Sequence, residues 1–260
     1  MRWSNAGARI ARKLRLTQVR PWLRDRAIER AGLDWRLKSG LSIEIRNFAD
    51  WVVYSDIFCD NEYDLAIDRA LAGAPAHRKL EILDLGANVG FFAFRCADRI
   101  LHARPQQPYR MTMVEGSPGV GKELARRVAA NELLAPHARV CLGLVGQREG
   151  RGTISELGFH AMSSVVHGGG RSHECPYVDV EKLMDDAAEI DLVKCDIEGS
   201  EEAFIESYGA LLGKARMVVI ELHHELCDVP RCRTLLREAG LTAHEVTRTG
   251  ENISVEVFSR

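Results

Sequence analysis

The string Asp84-Leu85-Gly86-Ala87-Asn88-Val89-Gly90 constrains this chain more than any other. It follows the apolar run Leu80 to Leu85 and opens the helical pattern Val89 to Leu101. A buried run that breaks at glycine and restarts as a helix is the strand–turn–helix unit of a parallel sheet. The unit recurs. Tyr109 to Val114 reads as the next strand, and Pro118 opens a helix to about Leu133, where its missing N–H is not needed. Arg139 to Val145, Ile190 to Cys195 and Ala215 to Leu222 read as three more strands. Helices are expected over Ser200 to Leu212 and over Pro230 to Ala239, the latter ended by Gly240. Leu241 to Val246 and Ile253 to Phe258 alternate in polarity across Thr249–Asn252, which predicts a closing antiparallel hairpin. The pattern specifies an α/β fold: a doubly wound sheet covered on both faces, with its ligand at the carboxyl ends of the strands.

Two regions stand outside this rhythm. Leu41 to Arg46 reads as a half-buried strand, Trp51 to Tyr54 as its hairpin partner, and Glu62 to Leu71 as a helix. Residues 1–75 are therefore expected to form an extension packing on a main domain of residues 76–260. Between Gly146 and Val180, strand-like pieces (Thr153 to Ser155, Ala161 to Val166, Tyr177 to Val180) surround Gly168-Gly169-Gly170, and Asp179 is placed to cap a short helix through Asp186.

Charge narrows the partners. A net charge of −2 provides no concentrated basic surface for phosphate, so no nucleic-acid partner is expected. The segment from Arg2 to Arg36 is nonetheless strongly basic, with Ile10, Leu14 and Leu16 interleaved. It reads as a membrane-surface foot, a clamp for an anionic substrate, or a solvated helix packing an apolar stripe on the domain. No window holds the roughly 18 apolar residues of a membrane span, and the N-terminus lacks a signal peptide's apolar stretch. The seven cysteines are odd in number, scattered and without a C-x-x-C pair, which points to reduced thiols in the cytoplasm.

The chemistry gathers at the strand ends. The turn has glycines at 86 and 90 and lacks the middle glycine of the dinucleotide pattern, so a ligand without a pyrophosphate is favoured. Asp84 would accept a hydrogen bond from an ammonium group. Glu115 ends the next strand, where an acid takes the hydroxyls of a ribose. Lys194, Asp196 and Glu198 share one parity at the fourth strand end, and Glu221 and His223 share one at the fifth. A lysine between carboxylates keeps its charge and orients a polar substrate. His223 suits proton abstraction, its ordinary pKa being about 6.5. Asp196, Glu221 and His223 also admit a metal reading, but no H-E-x-x-H motif is present and no metal is expected. The plain alternatives are a ligand-free turn, a rim salt bridge and a surface histidine pair. His160, His167 and His173 carry no assigned role.

The strings ILDLGANVGFF, VEGSP, DLVKCDIEGSEEAFI and VVIELHHE resemble the FkbM family of S-adenosylmethionine-dependent methyltransferases, over about Leu80 to Glu225. YSDIFCDNEYD is similar to the lead-in of some members. The resemblance implies a Rossmann-like, seven-stranded methyltransferase sheet with an antiparallel last strand. It implies S-adenosylmethionine as cofactor and O-methylation of a sugar or small natural product. On this sequence Asp84, Gly86, Ala87, Asn88 and Gly90 would surround the methionine part of the cofactor. Glu115 would hold the ribose, with Gly116 beside it where proline or alanine often stands, and Ser117 with Pro118 would flank the adenine. The expected catalytic set is His223 or Asp196 as base, with Lys194 and Glu198 orienting the acceptor. Competing readings are a nicotinamide-dependent oxidoreductase, a non-catalytic binding protein on the same fold, and an RNA methyltransferase.

Overall fold

The structure, a computed structural model, describes residues 21–156 and 171–260. The strand expected over Ala161 to Val166, the glycine run after it, His160, His167 and the basic segment before residue 21 lie outside the described residues.

The chain begins with α1 (Pro21–Ala31), the antiparallel pair β1 (Leu33–Arg36) and β2 (Ser42–Ile45), α2 (Phe48–Tyr54) and α3 (Asp64–Gly73). A π-helical turn, Ser55–Cys59, extends α2. The alternating region follows: β3 (Leu80–Leu85), α4 (Phe91–Ala103), β4 (Tyr109–Glu115), α5 (Pro118–Ala129) and β5 (Ala138–Leu142). An antiparallel pair, β6 (Arg151–Glu156) and β7 (Arg171–Pro176), leads to α6 (Val180–Leu183). The rest is β8 (Leu192–Cys195), α7 (Glu201–Ser207), α8 (Gly209–Leu212), β9 (Met217–His223), α9 (Val229–Glu238), β10 (Ala243–Thr249) and β11 (Ile253–Ser259).

Seven strands form one sheet in the order β10-β11-β9-β8-β3-β4-β5. The pairs β3/β4, β3/β8, β4/β5 and β8/β9 are parallel, while β11 runs antiparallel to both β9 and β10. This is the doubly wound sheet with a reversed last strand that the sequence predicts. The strand order reverses about β3, which opens a crevice at its carboxyl end. All six residues of β3 are buried, which explains why its sequence shows no alternation. Ile82 joins a core cluster on one face with Phe91 and Met113, while Leu83 and Leu85 join another with Val193, Phe204 and Leu236. No helix among the described residues is long and apolar enough to cross a membrane. None of the seven cysteines is in a disulfide.

Three expectations are corrected. The strand expected over Tyr177 to Val180 reduces to a single bridge at Tyr177, and Val180 already opens α6. Trp51 to Tyr54 does not pair with β2; it lies in α2, and the partner of β2 is β1. The β-prone run Trp-Val-Val-Tyr is overridden by capping and packing. The Asn47 side chain accepts from the Asp50 amide at 2.9 Å and starts the helix. Helical spacing then stacks Tyr54 on Phe58, with ring centroids 4.9 Å apart, and presents its ring to Trp35 edge-on. Asn47→Ala is expected to cost about 1 kcal/mol in urea unfolding. An unchanged midpoint would mean that the cap does not set this helix. The helix expected over Ser200 to Leu212 is two, α7 and α8, joined at Tyr208, whose hydroxyl donates to the Gln147 carbonyl at 3.1 Å.

The front segment shares the core of the sheet. Leu41, Ile43, Ile45 and Ile67 bury in the same cluster as Ile82 and Phe91. A buried ion pair, Arg127 Nη2 to Asp50 Oδ2 at 2.6 Å, ties α2 to α5. This packing holds Asp56 and Glu62 over the crevice.

Candidate functional site

A cleft of ≈ 250 Å³ opens at the carboxyl ends of β3, β4, β8 and β9. Its floor is the turn after β3. Gly86 has φ +72°, and a Cβ there would lie 1.7 Å from the Asp196 carbonyl oxygen. The loop after β8 passes so close that only glycine fits. Asn88 holds φ +50°, and its Oδ1 accepts from the Val89 amide at 2.7 Å. Gly90, at φ +98°, precedes α4, and a Cβ there would meet Leu124 at 2.8 Å.

Glu115 joins two strand ends. Its Oε2 accepts from the Asn88 amide and its Oε1 from the Ser117 amide, each at 2.8 Å. It is 7% exposed and faces the cleft. Burial pushes its carboxyl up, and the two amides offset part of that. Ser117 is fully buried and caps α5, its Oγ accepting from the Val120 amide at 3.2 Å.

Beneath the turn, the ammonium facing Asp84 comes from the chain itself. Lys194 Nζ lies 3.6 Å from Asp84 Oδ1 and 3.4 Å from Asp196 Oδ2, and donates to the Gly86 carbonyl at 2.7 Å. Burial pushes the Asp84 carboxyl up to about 6, against the pull of Lys194. Burial alone would lower the Lys194 ammonium, but Asp196 and Asp84 outweigh it and hold the proton on.

The other half of the cleft is acidic. Asp196, Glu198 and Glu221 line it, with Asp56 and Glu62 from the front segment. His223 stands against this wall. Its Nδ1 lies 3.0 Å from Glu201 Oε1, and its Nε2 lies 3.3 Å from Glu198 Oε2 and 3.6 Å from Glu221 Oε1. Burial would lower the imidazole, but Glu198 and Glu201 push it up to about 11. Burial, then Asp196 and Glu62, push the Glu221 carboxyl up to about 8. Glu201 is fully buried and also accepts from the Ile197 and Gly199 amides, fixing the loop after β8.

Of the residues singled out in the sequence, Gly86, Ala87, Asn88, Glu115, Gly116, Lys194, Asp196 and Glu198 line the cleft. Asp84, Gly90 and Ser117 support it from behind, and His223 adjoins it through Glu198 and Glu221. Sequence reasoning gave no role to Asp56, Glu62, Arg248 or Glu201. Asp56 and Glu62 fall within YSDIFCDNEYD and Glu201 within DLVKCDIEGSEEAFI, so the motifs reach them. Arg248 enters from β10 and pairs with Glu62, which no local pattern announces.

No family model and no curated protein matches the chain. Solved structures similar to it include an O-methyltransferase family protein from Burkholderia thailandensis, at 13% identity and TM-score 0.46 over 82% of this chain and 58% of that one. The chain thus spans little more than half of that protein. Magnesium protoporphyrin IX methyltransferase from Synechocystis PCC 6803, solved with bound SAM, is 14% identical over 82% of this chain and 85% of that one, with TM-score 0.44. The N-terminal domain of human METTL16 is 11% identical over 90% and 89%, with TM-score 0.48. At such low identity the likeness says nothing of activity.

Proposed function

We propose that the protein transfers a methyl group from S-adenosylmethionine to a hydroxyl of a sugar or another polyhydroxylated small molecule. The observation that carries this reading is Glu115. Its carboxylate stands at the end of the second strand of the alternating region, pinned to the glycine-opened turn after the first, and faces the cleft. A ribose with two hydroxyls fits that carboxylate, and the turn brings backbone close to the methionine part. The motif resemblance to FkbM methyltransferases agrees with it. The carboxylates lining the other half suit a ligand that presents hydroxyl donors, and they favour a sulfonium nearby.

The methyl donor is already activated, so the protein mainly aligns acceptor oxygen and methyl carbon at roughly 3–3.5 Å. The hydroxyl proton must also leave. Each ring nitrogen of His223 faces a carboxylate, so neither has a lone pair turned to the acceptor. Asp196 Oδ1 has no hydrogen-bond partner among the described residues, and Asp196 lines the cleft. Asp196 takes the proton in this reading, His223 balances the charge of the wall, and Lys194 and Glu198 hold the geometry.

Calorimetry with S-adenosylhomocysteine tests the cofactor half. Wild type should bind, and Glu115→Gln should bind about 10- to 100-fold more weakly, as for a lost charge-assisted hydrogen bond. Binding of NADH with none of S-adenosylhomocysteine would instead support the oxidoreductase. Mass spectrometry of hydroxylated extracts incubated with isotope-labelled S-adenosylmethionine would identify the acceptor.

A further inference from the structure

We propose that Asp196, Glu221 and His223 together bind one divalent transition-metal ion in the acceptor half of the cleft, with Glu201 as the positioning residue behind His223. One donor atom from each of the three lies within 4.8 Å of the other two. They come from the loop after β8 and the end of β9, and the parallel pairing of Cys195 with Ile220 fixes the spacing of those strands.

A separate observation concerns the imidazole. Glu201 belongs to α7, not to the donor set, and is fully buried. It occupies Nδ1, so Nε2, 3.3 Å from Glu198 Oε2 and 3.6 Å from Glu221 Oε1, is the nitrogen turned toward the wall and the one that would give up its proton to an ion. A carboxylate behind a histidine, fixing its tautomer and raising its basicity, is the usual support of a metal-bound imidazole. Asp196 Oδ1 is buried without a hydrogen-bond partner among the described residues, so an oxygen of the donor set has its lone pairs unused. Charge points the same way. Lys194 lies against Asp84 and Asp196, and Arg248 against Glu62, so among the described residues the ion pair of Glu221 is with His223, which it shares with Glu198 and Glu201. One imidazole and two carboxylates, with no thiolate, suit an ion such as Mn²⁺. Three protein ligands leave coordination positions for oxygens.

The inference deepens the proposed reading and rests on it only for its consequence. A cation there would take the acceptor oxygen and make its hydroxyl more acidic, so that less basicity is asked of the carboxylates around it.

The test uses the full chain stripped with a chelator and titrated with Mn²⁺, bound ion being read by electron paramagnetic resonance. Wild type should bind one ion per chain. Glu221→Gln and His223→Ala should each weaken binding at least about 10-fold, and Glu201→Gln, which removes the charge behind His223 and keeps an oxygen for the Ile197 and Gly199 amides, about 10-fold. Asp56→Asn, outside the donor set, should bind as wild type. Circular dichroism confirms that the variants are folded. No saturable binding by wild type at millimolar Mn²⁺, or donor variants that bind as wild type does, overturns the proposal. Calorimetry with S-adenosylhomocysteine on the same samples separates the two ideas, because cofactor binding without an Mn²⁺ site sinks the metal alone.

Discussion

Lys194→Met should lower the free energy of unfolding by about 3–5 kcal/mol, the loss typical when one partner of a buried pair is removed. Methionine keeps most of the volume but cannot donate. Lys194 is 4% exposed and Asp84 is 1% exposed, so the Asp84 carboxylate is left buried without its cation. The carbonyls of Gly86 and Leu85 lose their donor as well. That part of the loss does not depend on pH. The part owed to Asp84 does. Its carboxyl already sits near 6 in the folded protein, above the ordinary value of about 3.9, and removing the cation raises it further. A carboxyl raised by folding contributes stability below its unfolded value and loses it as pH rises through its folded value. Both proteins lose stability up to about pH 6, and the variant goes on losing it above. The deficit should therefore widen from pH 6 to 8, and Asp84→Asn in the variant should remove the widening. Urea unfolding at several pH values reads both effects. A deficit constant across that range would mean that Asp84 does not depend on Lys194.

Asp196→Asn should slow turnover by about 100- to 10,000-fold, the range for a positioned acid–base group. Affinity for S-adenosylhomocysteine should stay unchanged. Asparagine matches the carboxylate in size and can still face Lys194, but it accepts no proton. The contacts of Glu115 with the Asn88 and Ser117 amides lie in the other half of the cleft and are untouched. Single-turnover kinetics on the acceptor identified by mass spectrometry would measure the rate apart from product release. Full activity would remove Asp196 from the chemistry.

Much of this architecture can be read without coordinates. The strand–turn–helix units, the reversed last strand, and the placing of Glu115 and Asp196 at strand ends all follow from short-range patterns. Period, glycine and proline positions, and the parity of neighbouring residues need only local geometry. Trp51 to Tyr54 shows the limit of that logic. Its residues favour a strand, but Asn47 and the Tyr54–Phe58 stack make it helical.

The site divides along the same line. Local spacing by itself determined which acids and glycines reach the sheet edge, because a strand's end and the side its residues face are set within a few positions. Only the tertiary structure decided what each of them meets. Arg248 pairs with Glu62 from 186 positions away, and Lys194 reaches the Gly86 carbonyl across 108. The partner of a buried charge depends on which elements pack against it, and burial together with those partners sets the proton affinity of Asp84, Glu221 and His223. No window of sequence contains that information.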